Sequence, residues 1–112
     1  MELEEKRVGE VLVVTLRGKL MGGKDAETFR EMLYRAISDG IVNVLVDMSQ
    51  VSWMNSSGLG MLISGLTTMR SAGGDLRLIG LTEGTRRTLE ITRLDAVFQV
   101  FASQEEGLRS FA

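Results

Sequence analysis

The sequence predicts an α/β fold: a mixed sheet of four to five strands, an N-terminal hairpin and then parallel strands, packed with about four helices. Three observations predict it. Strand-like apolar runs alternate with segments whose apolar residues recur at helical spacing, the order that builds parallel β-α-β units. A Gly9-Glu10 turn joins the first two strand-like runs, which implies an antiparallel start. The 112 residues contain no proline and no linker-like tract, so a single domain over residues 1–112 is expected.

Taken in order, residues 2–8 read as a weak edge strand and residues 11–16 (Val-Leu-Val-Val-Thr-Leu) as a strong one. Gly18 to Lys24 is expected to be a loop. Asp25 is placed as the cap of a helix whose apolar stripe is Ala26, Phe29, Met32, Leu33, Ala36 and Ile37, ended by Gly40. Residues 42–48 form a buried strand. A helix over 57–71 follows, with Leu59, Leu62, Ile63, Leu66 and Met69 at i, i+3, i+4, i+7 and i+10. Ala72-Gly73-Gly74 stops it. Residues 76–80 are a short strand, and a helix from about Glu83 to Arg93 has Leu89 as its clearest core residue. Residues 97–101 are a last strand and 103–112 a terminal helix. Right-handed crossovers place the 55–58 turn at the carboxyl end of the sheet, where α/β folds put their sites.

Composition excludes several functions. A net charge of −2 gives no basic footprint for nucleic acid. No apolar run approaches the ~20 residues that span a bilayer, and the charged N-terminus lacks the apolar core of a secretory signal. No membrane role and a cytoplasmic location are expected. There is no cysteine, which excludes disulfides and thiolate chemistry, and no histidine, which removes the commonest general base. Zinc would have only carboxylates to hold it. The chain therefore reads as non-enzymatic, with no cofactor.

One stretch tempts a different reading. Gly18-Lys19-Leu20-Met21-Gly22-Gly23-Lys24-Asp25 nearly matches the phosphate-binding loop G-x-x-x-x-G-K-[ST]. Its last position is Asp25, where such loops need a hydroxyl for Mg²⁺ and have no use for a carboxylate beside phosphates. The loop fits better as part of a partner surface flanking the next motif.

That motif is Trp53-Met54-Asn55-Ser56-Ser57-Gly58-Leu59-Gly60, where a buried strand hands over to a helix. Asn and Ser cap helix starts, whose first N–H groups lack partners, and the dipole there favours negative charge. A serine hydroxyl in that place can carry a phosphate, or it can simply cap. Trp53 and Met54 read as buried loop anchors before exposed contacts. Gly58 and Gly60 permit close approach of a partner or of another backbone. Arg86 and Arg87 read as a solvated helix start before a partner or phosphate contact, and Asp47 as a turn carboxylate that could organise the loop.

The run Asp47-Met48-Ser49-Gln50-Val51-Ser52-Trp53-Met54-Asn55-Ser56-Ser57-Gly58-Leu59-Gly60 resembles the signature of STAS domains, and within them bacterial anti-sigma factor antagonists. Gly18-Lys19-Leu20, Gly73-Gly74, and Arg86-Arg87 followed by Leu94 extend the resemblance over essentially the whole chain. The resemblance implies a STAS-like fold and a partner switch. The unmodified protein would bind an anti-sigma factor that is also a serine kinase, freeing the sigma factor. Phosphorylation of one serine would break the complex, and a PP2C-type serine phosphatase would restore it. The phosphoacceptor of the family's Asp-Ser-Ser-Gly falls on Ser56. Met21, Gly22, Lys24, Met54, Asn55, Ser57, Gly58, Met61 and Arg86 are the expected partner contacts. Four positions depart from the pattern: Asn55 for Asp, Lys19 and Met21 in a loop often Gly-Glu-Leu-Asp, and Arg93 where Gly is common. The alternative is a constitutive STAS interaction module whose serine is never modified.

Overall fold

A computed structural model describes residues 1–112. Its centre is a five-stranded sheet in the order β1-β2-β3-β4-β5. β1 (Glu2–Val8) turns back through Gly9, at φ 61°, and pairs antiparallel with β2 (Val11–Leu20). β3 (Asn43–Met54), β4 (Asp75–Ile79) and β5 (Val100–Phe101) add in parallel. The connections are α1 (Lys24–Ser38), α2 (Ser56–Ser71) and α3 (Glu83–Ile91), and α4 (Gln104–Arg109) follows β5.

Strand order follows chain order, so each right-handed crossover steps the same way and the three connecting helices share one face. On that face Leu12, Val14, Val44, Val46, Leu76 and Leu78 meet Phe29, Leu33, Leu62, Leu66 and Leu89. The expected stripes of α1 and α2 supply this layer, with Ala26, Ile37 and Ile63 at its margin. The opposite face buries Val11, Val13, Leu45 and Ile79 beneath Leu108 and Phe111 around α4. Alternation along each strand feeds both layers.

The structure corrects several boundaries. β2 continues to Leu20, so only residues 21–23 remain of the expected 18–24 loop. β3 likewise runs on to Met54. Thr15 to Leu20 on β2 faces the longer run Asp47 to Met54 on β3, with register shifts between Thr15 and Arg17 and between Gly18 and Lys19. These bulges reset the alternation of β3, so its inward residues become Met48, Val51 and Met54, three apart instead of two. Asp25 does not cap α1. Gly23, at φ 64°, occupies that position without a side-chain bond, and Asp25 lies in the first turn. α3 stops at Ile91, and Arg93 takes the left-handed conformation (φ 62°) that favours glycine. β5 shrinks to two residues because a 3-10 turn at Leu94–Ala96 carries Phe98 into the helical-face core.

Candidate functional site

The carboxyl ends of β2 and β3 lie side by side, with Leu20 opposite Met54. The Asn55 N–H donates to the Leu20 carbonyl at 3.1 Å, carrying the pairing past the strand end. Asn55 then caps α2: its Oδ1 accepts the Gly58 N–H at 2.8 Å. A Cβ on Gly58 would overlap the Leu20 carbonyl, so only glycine lets the helix start this close to β2. On one flank Gly22, at φ 78°, packs on Ser57, whose Cβ would lie 2.9 Å from a Cβ at Gly22. On the other flank the Thr82 hydroxyl donates to the Val51 carbonyl at 2.8 Å while capping α3. Residues 21–24, 52–57 and 82–86 thus form one continuous rim.

Ser56 is the first residue of α2 and is exposed, and Asn55 takes the capping role. Ser57 is exposed beside it and is not the cap. Of the expected contacts, Met21 (53% exposed), Lys24 and Arg86 are open to solvent and Asn55 is half-buried. Met54 and Met61 are not surface contacts: both lie in the core beneath the rim, 2% and 5% exposed. Gly22 and Gly58 are also buried and shape the rim from below. Gly60 faces open space at the mouth of a groove of about 180 Å³ between α1 and α2.

Trp53 reverses its expected placement. It is 46% exposed, on the face opposite the buried Met54, and stands across from Lys19 on β2. The 19–24 loop and the 53–61 turn are expected at the partner surface, so the departure is the exposure of Trp53, favoured as a buried anchor. No local pattern announces that exposure, because the bulge that turns Trp53 outward is a property of strand pairing. Asp47 accepts the Ser49 N–H at 2.9 Å and so organises the bulged stretch.

The electrostatics of the rim single out α2. The first turns of α1, α3 and α4 carry Asp25 and Glu27, Glu83, and Glu105 and Glu106, while that of α2 carries no acid. Negative charge is stabilising at a helix start, so the α2 terminus is the one left without it. The near-match to a phosphate-binding loop does not form such a loop, since Gly18 to Leu20 are paired with β3. No three acidic side chains converge as a metal site, and no helix is long and apolar enough to cross a membrane.

The STAS domain model matches residues 2–107. The chain is 30% identical over 84 residues to the anti-sigma-B factor antagonist of Bacillus subtilis, covering 75% of this chain and 76% of that protein. Among solved structures, the Thermotoga maritima protein TM1081 superposes with a TM-score of 0.86 at 22% identity, covering 97% of this chain and 93% of that one. The Bacillus cell fate determinant SpoIIAA in its phosphorylated form gives 0.77 at 21% identity, covering 99% and 100%. With its antiparallel start, parallel remainder and serine turn at the carboxyl end of β3, the chain belongs to the STAS domain family and has its relatives among the anti-sigma factor antagonists.

Proposed function

We propose that this protein is a phosphorylation-controlled partner switch: unmodified, it binds an anti-sigma factor that is also a serine kinase, and phosphate on Ser56 releases that partner. One observation carries the reading. In a relative of the anti-sigma factor antagonists, Ser56 is exposed at the first position of α2, capping duty falls to Asn55, and the first turn is free of acids. A phosphate there adds about −1.5 to −2 charge at neutral pH. The domain accommodates it, because charge at a helix start is favourable by roughly 0.3–1 kcal/mol. A docked partner does not. Misplaced charge within an interface costs several kcal/mol, and each ~1.4 kcal/mol is tenfold in affinity. The larger effect is at the interface, so release follows from repulsion without refolding.

Met21, Lys24, Asn55, Ser57 and Arg86 form the contact rim in this reading, with Gly22, Met54, Gly58 and Met61 supporting it from beneath. A PP2C-type serine phosphatase resets the switch, and the protein itself performs no chemistry. Incubation with its anti-sigma factor kinase and ATP, followed by intact-mass measurement, tests the proposal. A gain of about 80 Da is expected from one phosphoryl group, abolished in Ser56→Ala. No gain would point to a constitutive binding module, and a gain that survives Ser56→Ala would move the acceptor to another residue and overturn Ser56 as the control point.

A further inference from the structure

We infer that the partner surface meeting this rim is acidic and carries an apolar pocket, and that Lys19, Lys24, Arg86, Met21 and Trp53 select it. The inference rests on the proposed partner-binding role and specifies the partner's chemistry.

The first observation is where the free cations stand. Most arginines of the chain are held by carboxylates: Arg7 by Asp39, Arg17 by Glu4, Arg35 by Glu5, Arg70 and Arg77 by Asp75, Arg87 by Glu83, Arg109 by Glu105. Six cations take part in no ion pair (Lys6, Lys19, Lys24, Arg30, Arg86 and Arg93), and half of them, Lys19, Lys24 and Arg86, are exposed on the segments that converge at the serine turn. The acids of the same rim are Asp25 and Glu27 on the first turn of α1, and Glu83, which Arg87 approaches at 3.8 Å. A chain of net charge −2 thus keeps three unpaired cations at this end against two unpaired acids, Asp25 and Glu27.

The second observation is apolar. Trp53 and Met21 are two of the few large hydrophobic side chains left exposed, and both lie on this rim. Lys19 stands directly across from Trp53 in the β2–β3 register, and a Cβ on Gly84 would lie 2.7 Å from the Ser52 carbonyl oxygen, so the start of α3 approaches β3 beside it. Aromatic and Met anchors ringed by charge are the composition of a protein interface, and the charged ring sets partner choice and association rate. Complementarity then requires carboxylates around an apolar pocket on the partner. Phosphate on Ser56 would cancel the positive rim as well as crowd it.

Trp53 is the single tryptophan, so its fluorescence reports the rim directly. In the full-length protein at low salt, iodide should quench Trp53 at least twofold more effectively than caesium, each normalised to free N-acetyltryptophanamide. Lys19→Glu/Lys24→Glu should invert that ratio. Equal quenching by the two ions in the parent would overturn the inference without touching the phosphorylation reading. In the second arm, purified anti-sigma factor kinase is the probe. Lys19→Glu/Lys24→Glu/Arg86→Glu should slow its association about tenfold or more, and Trp53→Ala should weaken binding about tenfold. Unchanged association by the folded triple variant overturns the acidic partner even if Ser56 is phosphorylated. Salt-sensitive binding of a DNA duplex to the rim would overturn the choice of a protein partner. A kinase that obeys these variants yet leaves Ser56 unmodified would sink the switch and spare the surface.

Discussion

The Asn55 side chain accepts the Gly58 N–H, and that hydrogen bond fixes where α2 begins. Ser56 stands next in the chain without a capping duty. Stability and control are therefore divided between adjacent residues, and their variants should behave differently. Asn55→Ala should cost about 1 kcal/mol in urea unfolding, whereas Asn55→Asp should stay close to the parent, since either residue caps well. Ser56→Ala, at an exposed position, should stay within roughly 0.5 kcal/mol of the parent. If Ser56→Ala destabilised the fold as much as Asn55→Ala, the hydroxyl would be a structural group and the division would fail.

At the scale of elements, the contact between β2 and the start of α2 holds the rim together. Gly58 lies against the Leu20 carbonyl, a backbone atom that cannot swing aside. Gly58→Ala should cost about 1–3 kcal/mol of stability through overpacking, seen as a lowered unfolding midpoint. A Gly58→Ala variant as stable as the parent would show that the helix start can shift. The same elements explain what was legible in the sequence. The stripes at Phe29, Leu33 and Ala36 and at Leu59, Leu62, Leu66 and Met69 mark their helices because burial on one face enforces helical spacing. The serine turn was legible because small capping residues precede an apolar stripe. The strand ends were not. Ser49, Gln50, Ser52 and Trp53 carry no period-two pattern, since the bulges that extend β3 are set by pairing with β2. For that reason Trp53 came out exposed and Met54 buried, while Met61 is buried because α2 is covered by α1 as well as by the sheet. Their placement depends on tertiary packing that no local window contains.

Across the whole molecule, one end and one face of the sheet have separate tasks. The carboxyl end of the sheet carries the rim, with Lys19 and Trp53 on the side away from Met54, while α4 closes the face opposite the other helices through a polar latch. Arg77 Nη1 donates to the Ser110 carbonyl at 2.7 Å and its guanidinium lies 4.3 Å from the Phe111 ring centroid, while Nε donates to Asp75 at 3.0 Å. Burial pushes the Asp75 carboxyl up, but hydrogen bonds from Arg77, the Leu76 N–H and Arg70 outweigh it and hold the group below the usual carboxylate range. A carboxylate depressed in the folded state contributes stability above its unfolded pKa and loses it as pH falls through the folded value. Asp75→Asn should therefore be less stable than the parent at pH 7, with the difference shrinking below about pH 4. A difference that persisted unchanged to pH 2 would deny Asp75 this role. Because the α2 residue that joins the latch, Arg70, stands at the opposite end of that helix from Ser56, phosphate at Ser56 should leave the scaffold unaltered. Backbone amide shifts should change around residues 20–24 and 52–60, and spread through β1 and α4 would argue for refolding. The most direct test is the affinity of the anti-sigma factor kinase for unmodified protein against protein stoichiometrically phosphorylated on Ser56. A loss of about a hundredfold or more is expected, the equivalent of several kcal/mol at the interface. Equal affinity of the two forms would contradict the switch.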